Sequence, residues 1–310
     1  MFLEQARSVK PIALPDVDTL WPLCLAIAQR RREGVAPRPL ASGPGAAVHA
    51  IDWLDGAGHV LRGAWSEPAA RLFDLFKPLL DVAPRSGAQC IGQLGQSLDG
   101  CVATAGGDST FVNGPEVLVH LHRLRALSDA VIVGAGTAAF DNPRLTTRRV
   151  AGPNPVRVVI DPALRVPAIA HLFTDDHAPT LLVCNVTKHS QAAARFGAAR
   201  VLGVPCDSAG ALDLGVLKQM LALRGLKVLF VEGGGITVSR FIAQRQLDRL
   251  HLSIAPVVIG GGRAGLHLAP SKTMRQALRP PARLFAMGTD ALWDLDLRQG
   301  QQIAMADDQA

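Results

Sequence analysis

Apolar and polar positions change their period repeatedly along this chain of 310 residues. Short apolar runs occupy 89–94, 130–133, 156–160, 180–184, 200–204, 227–231, 249–254 and 292–297. Most are rich in Val, Ile or Leu and have turn residues nearby, so each predicts a strand. Stretches over 115–127, 187–196, 212–223 and 236–244 are compatible with helices. Strands alternating with helices predict an α/β fold with a mostly parallel mixed sheet and flanking helices. The last two strands lack an intervening helix, because Pro256, Gly260, Gly261, Gly262, Pro270, Pro280 and Pro281 punctuate the connection. An antiparallel C-terminal edge is therefore expected. Upstream, a helix over 18–32, a hairpin with arms at 46–53 and 59–65, and a helix over 68–80 form a small α+β appendage. The break near 81–87 divides an accessory region, 1–85, from a main domain, 86–310.

With 48% hydrophobic and 19% charged residues, the chain can bury one large α/β core. No apolar run approaches membrane-spanning length, and Glu4, Arg7 and Lys10 open the chain without a signal-peptide core. A cytoplasmic enzyme with no membrane partner is expected. The five cysteines contain no Cys-x-x-Cys pair, so neither a disulfide framework nor a metal site is indicated. The net charge of +6 is dispersed, and its densest cluster, Arg30 to Arg32, ends a helix where the dipole favours cations. No nucleic-acid partner is required, although phosphorylated or carboxylated small molecules would be attracted.

The run 130–133 delivers Gly134-Ala-Gly-Thr137, a turn whose glycines let backbone N–H groups approach phosphate. Pro143 and the segment 152–155 leave no room for an ordinary crossover helix after it. A second junction, Glu232-Gly-Gly-Gly235, follows 227–231 and opens a helix. Either cluster alone reads equally as a tight turn; both at strand carboxyl ends point to a cofactor cleft. Arg157 and Arg165 flank the next strand and could reach the 2′-phosphate of NADPH, though each also reads as a surface arginine.

Ser97-Leu-Asp-Gly100, Asn113-Gly-Pro-Glu116, His122-Arg-Leu-Arg-Ala126, Gly134-Ala-Gly-Thr137, Asp141-Asn-Pro143 with Leu145-Thr-Thr-Arg148, Ile160-Asp-Pro162, Glu232-Gly-Gly234 and Ala255-Pro256 with Ile259-Gly-Gly261 follow one another in a recognisable order. Together they resemble the reductase domain of the bacterial bifunctional riboflavin-biosynthesis deaminase/reductase family, which is dihydrofolate-reductase-like. The resemblance covers roughly 88–298 and leaves out the first 85 residues, which carry neither a His-x-Glu nor a Pro-Cys-x-x-Cys deaminase signature.

The resemblance implies NADPH-dependent reduction of a ribosylaminopyrimidine 5′-phosphate by hydride transfer to the sugar C1′, in a homodimer. It places Asp99 and Glu232 at the reacting centre. It puts Gln93, Ser109, Phe111, Asn113, Arg125 and Arg148 on the substrate, with the two arginines gripping phosphate. The cofactor set is Gly134, Gly136, Thr137, Asp141, Asp161, Arg165, Gly233, Gly234 and Gly235. Four positions depart from the family pattern: Gln93 replaces a lysine, Phe111 a tryptophan, Asn113 a threonine or serine, and Arg249 the second acid of a pair. These leave two alternatives open, a related pyrimidine or pterin-like substrate and a nucleotide-binding protein without turnover.

Overall fold

A computed structural model describes residues 14–41, 49–83, 86–110 and 112–298. The appendage comprises α1 (Val17–Arg32), β1 (Leu40–Ala41), β2 (Ala50–Leu54), β3 (Gly58–Arg62) and α2 (Glu67–Leu80). The start of the expected hairpin arm at 46–48 and Phe111 lie outside the described residues. The main chain then runs β4 (Gln89–Ser97), β5 (Cys101–Ala103), α3 (Pro115–Leu127), β6 (Ala130–Gly134), α4 (Ala135–Phe140), β7 (Val156–Ile160), α5 (His171–Thr174) and β8 (Thr180–Asn185). It continues with α6 (His189–Phe196), β9 (Val201–Val204), α7 (Leu214–Leu223), β10 (Val228–Glu232), α8 (Gly235–Ala243) and β11 (Arg249–Ala255). Strands β12 (Arg263–Ala264), β13 (Ala282–Met287) and β14 (Asp290–Asp296) complete it.

Nine strands form one sheet in the order β13-β14-β11-β4-β10-β6-β7-β8-β9. All neighbours from β11 to β9 are parallel, while β14 runs antiparallel to both β11 and β13. The expected α/β class and antiparallel edge are thus present, with β13 as an additional outer strand. Strands β6, β7 and β10 are largely apolar because they are buried on both faces. Ile91, Val131, Val159 and Phe230 face a core shared with α1, α2, α3 and α6. Cys90, Ile132, Val158 and Val231 face the one built on α7 and α8. No helix of the described residues is long and apolar enough to cross a membrane.

One expectation needs correction here. Residues 135–140 do form a helix, α4, after the first glycine turn. It is six residues long and ends before Pro143, so proline limits its length without preventing it. The appendage, in turn, has no core of its own: Leu20, Trp21, Phe73 and Phe76 belong to the same apolar cluster as Leu124, Leu127 and Leu292. Its basic helix end is largely buried too. Arg31 and Arg32 both donate to Asp129 Oδ1, at 2.9 and 3.1 Å, and also to the carbonyls of Leu127, Ala126 and Ser128 that close α3. The other Asp129 oxygen accepts the backbone N–H groups of Lys227 and Val228, each at 2.8 Å.

Arg249, expected near the substrate, lies instead in a buried polar layer at the antiparallel edge. It donates to Asp294 and Asp296, and Asp294 also faces His251 and Arg283. His251 Nδ1 lies 2.9 Å from His120 Nε2, and His120 stacks on Phe76 of α2. Burial lowers the pKa of both imidazoles, which are therefore neutral near pH 7.

Asp129 therefore ties α1, the end of α3 and β10 together, and Asp129→Asn leaves Arg31 buried without its charge partner. The expected loss is about 3–5 kcal/mol, measured as a shift in the urea unfolding midpoint at unchanged slope. A variant as stable as the parent would show that the buried pair carries no such weight.

Candidate active site

Strands β6 and β10 pair in parallel, Ile132 opposite Val231, so their glycine turns emerge side by side at one sheet edge. There Gly134 is the N-cap of α4 and Gly234 that of α8, and no side chain caps either helix. Their first N–H groups are left for an anion. A cleft of about 980 Å³ opens over these two ends and extends to Gln93 and Gly95 of β4.

The glycines divide by what surrounds them. A Cβ on Gly136 would meet nothing within 4 Å, and one on Gly234 would lie 3.7 Å from Thr137 Oγ1. Their missing side chains leave cleft volume open, as a dinucleotide cradle requires. Gly235 is glycine for another reason: its Cβ would stand 1.5 Å from the Gly265 carbonyl oxygen, so it lets the 263–267 segment cross α8. Thr137 Oγ1 accepts weakly from Gly234 N–H at 3.4 Å and links the turns. The donor set fits a diphosphate.

Of the expected residues, Gln93, Ser109, Gly134, Gly136, Thr137, Asp141, Arg165, Glu232, Gly233, Gly234 and Gly235 line this cleft. Gln93 is buried and donates to Ser253 Oγ at 3.4 Å. The Asp141 carboxylate has no hydrogen-bond or ion-pair partner among the described residues, and burial raises its pKa. Glu232 is held by Arg125, whose Nε and Nη2 each meet one carboxylate oxygen, the Nε contact at 2.7 Å. Arg125 Nη1 also donates to Thr146 O at 2.8 Å. This fork fixes the carboxylate and is spent in doing so, which leaves Arg125 poorly placed to grip phosphate.

Five further residues do not line the cleft as expected. Asp99 lies on an exposed turn and accepts from Ser97 Oγ at 2.5 Å, Gly260 N–H at 2.7 Å and Ile259 N–H at 3.1 Å. Those bonds, Ser97 first, hold its pKa down to about 2, and they make it a clamp on the 256–262 loop rather than a group at the reacting centre. Asp161 is fully buried and accepts from Val166 N–H at 2.7 Å, closing its turn, so Pro162 reaches the cleft in its place. Arg157 is buried against Thr180, Asp175 and Ala178 and cannot reach a cofactor. Asn113 packs against Gly95, where a Cβ would meet its Oδ1, and donates to Asp290 at 3.0 Å. Arg148 is exposed beside the Arg125–Glu232 pair, with one donor on Thr146 Oγ1 at 2.7 Å.

Sequence reasoning missed Arg240, Arg263 and His267 of the cleft, and the latch formed by His122. His122 is one turn before Arg125 on α3, and its Nδ1 accepts the Arg148 N–H at 2.8 Å. Its i, i+3 spacing from Arg125 was the available signal. Burial first, and then the charges of Arg125 and Arg148, lower its pKa to about 4. The imidazole is neutral and keeps Nδ1 free to accept.

Residues 89–284 match the model of the RibD C-terminal domain, and the chain belongs to that family. A 2,5-diamino-6-ribosylamino-4(3H)-pyrimidinone 5′-phosphate reductase of Archaeoglobus fulgidus is 34% identical over 184 residues, 53% of this chain and 78% of the relative. The riboflavin biosynthesis protein RibD of Bacillus amyloliquefaciens is 32% identical over 240 residues, 76% of this chain. That match spans 60% of the relative, so the chain corresponds to only part of it. Among solved structures, RibD of Acinetobacter baumannii superposes with a TM-score of 0.60 at 23% identity, covering 74% of this chain and 62% of that one. The riboflavin biosynthesis reductase Rib7 of Saccharomyces cerevisiae gives 0.55 at 18% identity, covering 73% and 98%. These likenesses show a shared fold, and the appendage before residue 84 lies outside the family match.

His122 supplies a pH test. Folded, it takes a proton only near pH 4, whereas the unfolded chain binds one near the ordinary value of 6.5. Stability should fall as pH drops through that window. In His122→Asn, which keeps an acceptor but cannot titrate, the fall should be shallower in urea titrations from pH 6.5 to 4. Parallel curves for the two proteins would contradict the assignment.

Proposed function

We propose that this chain is an NADPH-dependent reductase of the riboflavin pathway, converting a ribosylaminopyrimidine 5′-phosphate to its ribityl counterpart. The observation that carries this reading is the pair of uncapped, glycine-lined helix starts beside a carboxylate fixed by Arg125. The activity for which the Archaeoglobus relative is named, and the 78% of that relative covered, support the substrate class. The ribosylamine opens to its isomeric imine, which gains a hydride at C1′ and a proton at nitrogen. When bound, the reduced nicotinamide supplies that hydride. Gly136, Gly234 and the starts of α4 and α8 would hold the diphosphate, Asp141 would accept from ribose hydroxyls, and Arg165 would be the cation available to a 2′-phosphate. Glu232, immobilised by Arg125, accepts from sugar or base donors, and Arg148 lies at the anionic end.

Gln93, neutral where the family resemblance implies a lysine, supports a related pyrimidine as a second reading. Assay of NADPH oxidation with the ribosylaminopyrimidine phosphates separates the readings. Binding of NADPH without turnover on any of them would overturn the enzyme assignment.

The reading also includes a homodimer. Leu284 and Trp293, paired across β13 and β14, stand 58% and 37% exposed on one face of the edge strands, an apolar surface that a second copy would cover. Light scattering at micromolar concentration should give twice the 32.7 kDa chain mass. A monomer mass would count against pairing.

The two halves of the cleft should respond differently to substitution. Gly234 has φ −55° and ψ 152°, which any residue can adopt, so Gly234→Val keeps the fold and fills the cradle. NADPH binding, read by its fluorescence, should be lost. Arg148→Ala should raise KM about 10- to 100-fold while NADPH affinity is unchanged. Equal loss of NADPH affinity in both would reverse the division.

A further inference from the structure

We propose that the imidazole pair His120 and His251 is an acid-sensitive latch: while neutral it fastens α2 of the appendage over the antiparallel edge, and uptake of one proton releases α2 while the main sheet stays folded. The reductase reading plays no part in it. His120 is on α3 and His251 on β11, and neither lines the cleft. In the strand register His251 stands opposite Asp294 of β14 on one side and Gln93 of β4 on the other. The latch therefore rests on the row of strands that ends at the cleft wall.

Three contacts in series build it. Phe76 of α2, fully buried, stacks on the His120 ring with centroids 5.3 Å apart and 27° between the planes. His120 Nε2 lies 2.9 Å from His251 Nδ1. His251 Nε2 faces Asp294 Oδ1 at 3.4 Å. A carboxylate only accepts, so the His251 proton sits on Nε2, its Nδ1 accepts, and His120 donates through Nε2. His120 Nδ1 is then a bare acceptor, buried with no hydrogen-bond partner.

That order leaves no place for another proton. On His120 it would make Nδ1 a buried, charged donor with nothing to accept from it. On His251 it would set Nδ1–H against His120 Nε2–H, and turning His120 to its other tautomer again leaves an unmet N–H on its Nδ1. Arg123 on α3, Arg249 on β11 and Arg283 on β13 repel a proton, while Asp294 on β14 attracts one but already meets the last two arginines. On α2, Phe76 is the residue against the ring, and Asp74, Lys77 and Asp81 line a pocket beside Arg249 and Arg283. Burial outweighs Asp294 and keeps both imidazoles below the ordinary value of 6.5. Helix α2 has an exposed outer face, so lifting it is the smallest opening that hydrates His120. The open state takes a proton near 6.5 and the closed state only well below it, so opening gains about tenfold for each pH unit under 6.5.

The test is amide hydrogen exchange on the full chain at about pH 7.5 and about pH 5.5, corrected for the intrinsic rates at each pH. In the parent, α2 should be less protected than α7 at both, and its protection should fall about tenfold on acidification. His120→Gln keeps a donor for His251 Nδ1 but cannot titrate, and should hold that fall to about threefold or less. His120→Phe keeps the stack on Phe76 and should do the same, so the result does not hang on one variant. Parent-like circular dichroism at the higher pH reports an intact fold. Equal protection of α2 and α7 in the parent would mean that no separate opening exists. A tenfold fall that persists in both variants would place the acid response elsewhere, for instance at the His59–Asp81 pair within the appendage. Either result overturns the proposal.

Discussion

The parallel pairing of β10 with β4 on one side and β6 on the other is the constraint from which the site follows. Parallel strands end on the same edge, so whatever each carries at its carboxyl terminus must converge there. Here that brings together Gln93 and Gly95, Glu232 with its glycines, and Gly134. Register then selects faces. Glu232 lies opposite Gln93, and both share the sheet side covered by α3, from which Arg125 reaches the carboxylate. The following helix, α8, packs on the other side. The turn at Gly233 and Gly234 is therefore where the chain crosses from one face to the other, and the cleft opens at that crossing.

The same face explains the appendage. Helix α3 and the antiparallel edge would expose Leu124, His120 and Asp294 if α1 and α2 did not cover them. Apolar burial supplies most of the contact, but apolar surfaces alone tolerate sliding. Asp129 sets one position, because two arginines and two backbone N–H groups meet on its two oxygens. A buried pair adds little net stability over an apolar replacement, yet breaking it is costly. Its effect is to make one docking geometry much better than its neighbours.

Much of this was legible in the sequence, and the remainder was hidden for identifiable reasons. Strands buried on both faces read as unbroken apolar runs, so β6, β7 and β10 stand out. The outermost strand, β13, has one face and one edge uncovered, and its short apolar run follows closely on Pro280 and Pro281. Proline before the next strand suggested that α4 could not form, yet six residues satisfy both the turn and Pro143. Residue type also misled where partners are distant in sequence. Asp99 binds a loop 160 residues away, and Arg249 pairs 45 and 47 residues ahead. Both are polar residues whose surroundings only the fold supplies.

The arginines of the site illustrate the limit of motif reasoning most directly. Arg125 and Arg148 look equivalent in sequence, each a cation after an apolar residue or polar pair in a recognisable motif. In the fold they are unequal, because guanidinium donors are finite and geometry decides which are spent. Arg125, buried on α3, uses three nitrogens on Glu232 and Thr146, which neutralises the carboxylate's charge and locks its direction. Arg148, exposed on the loop that His122 secures, uses one. A fixed, charge-balanced carboxylate presents acceptor lone pairs without repelling an anionic ligand strongly, so phosphate and acceptor can sit in one cleft. Positive charge for the ligand must then come from side chains that the fold leaves unpaired, and the residue types in a motif do not reveal which those are.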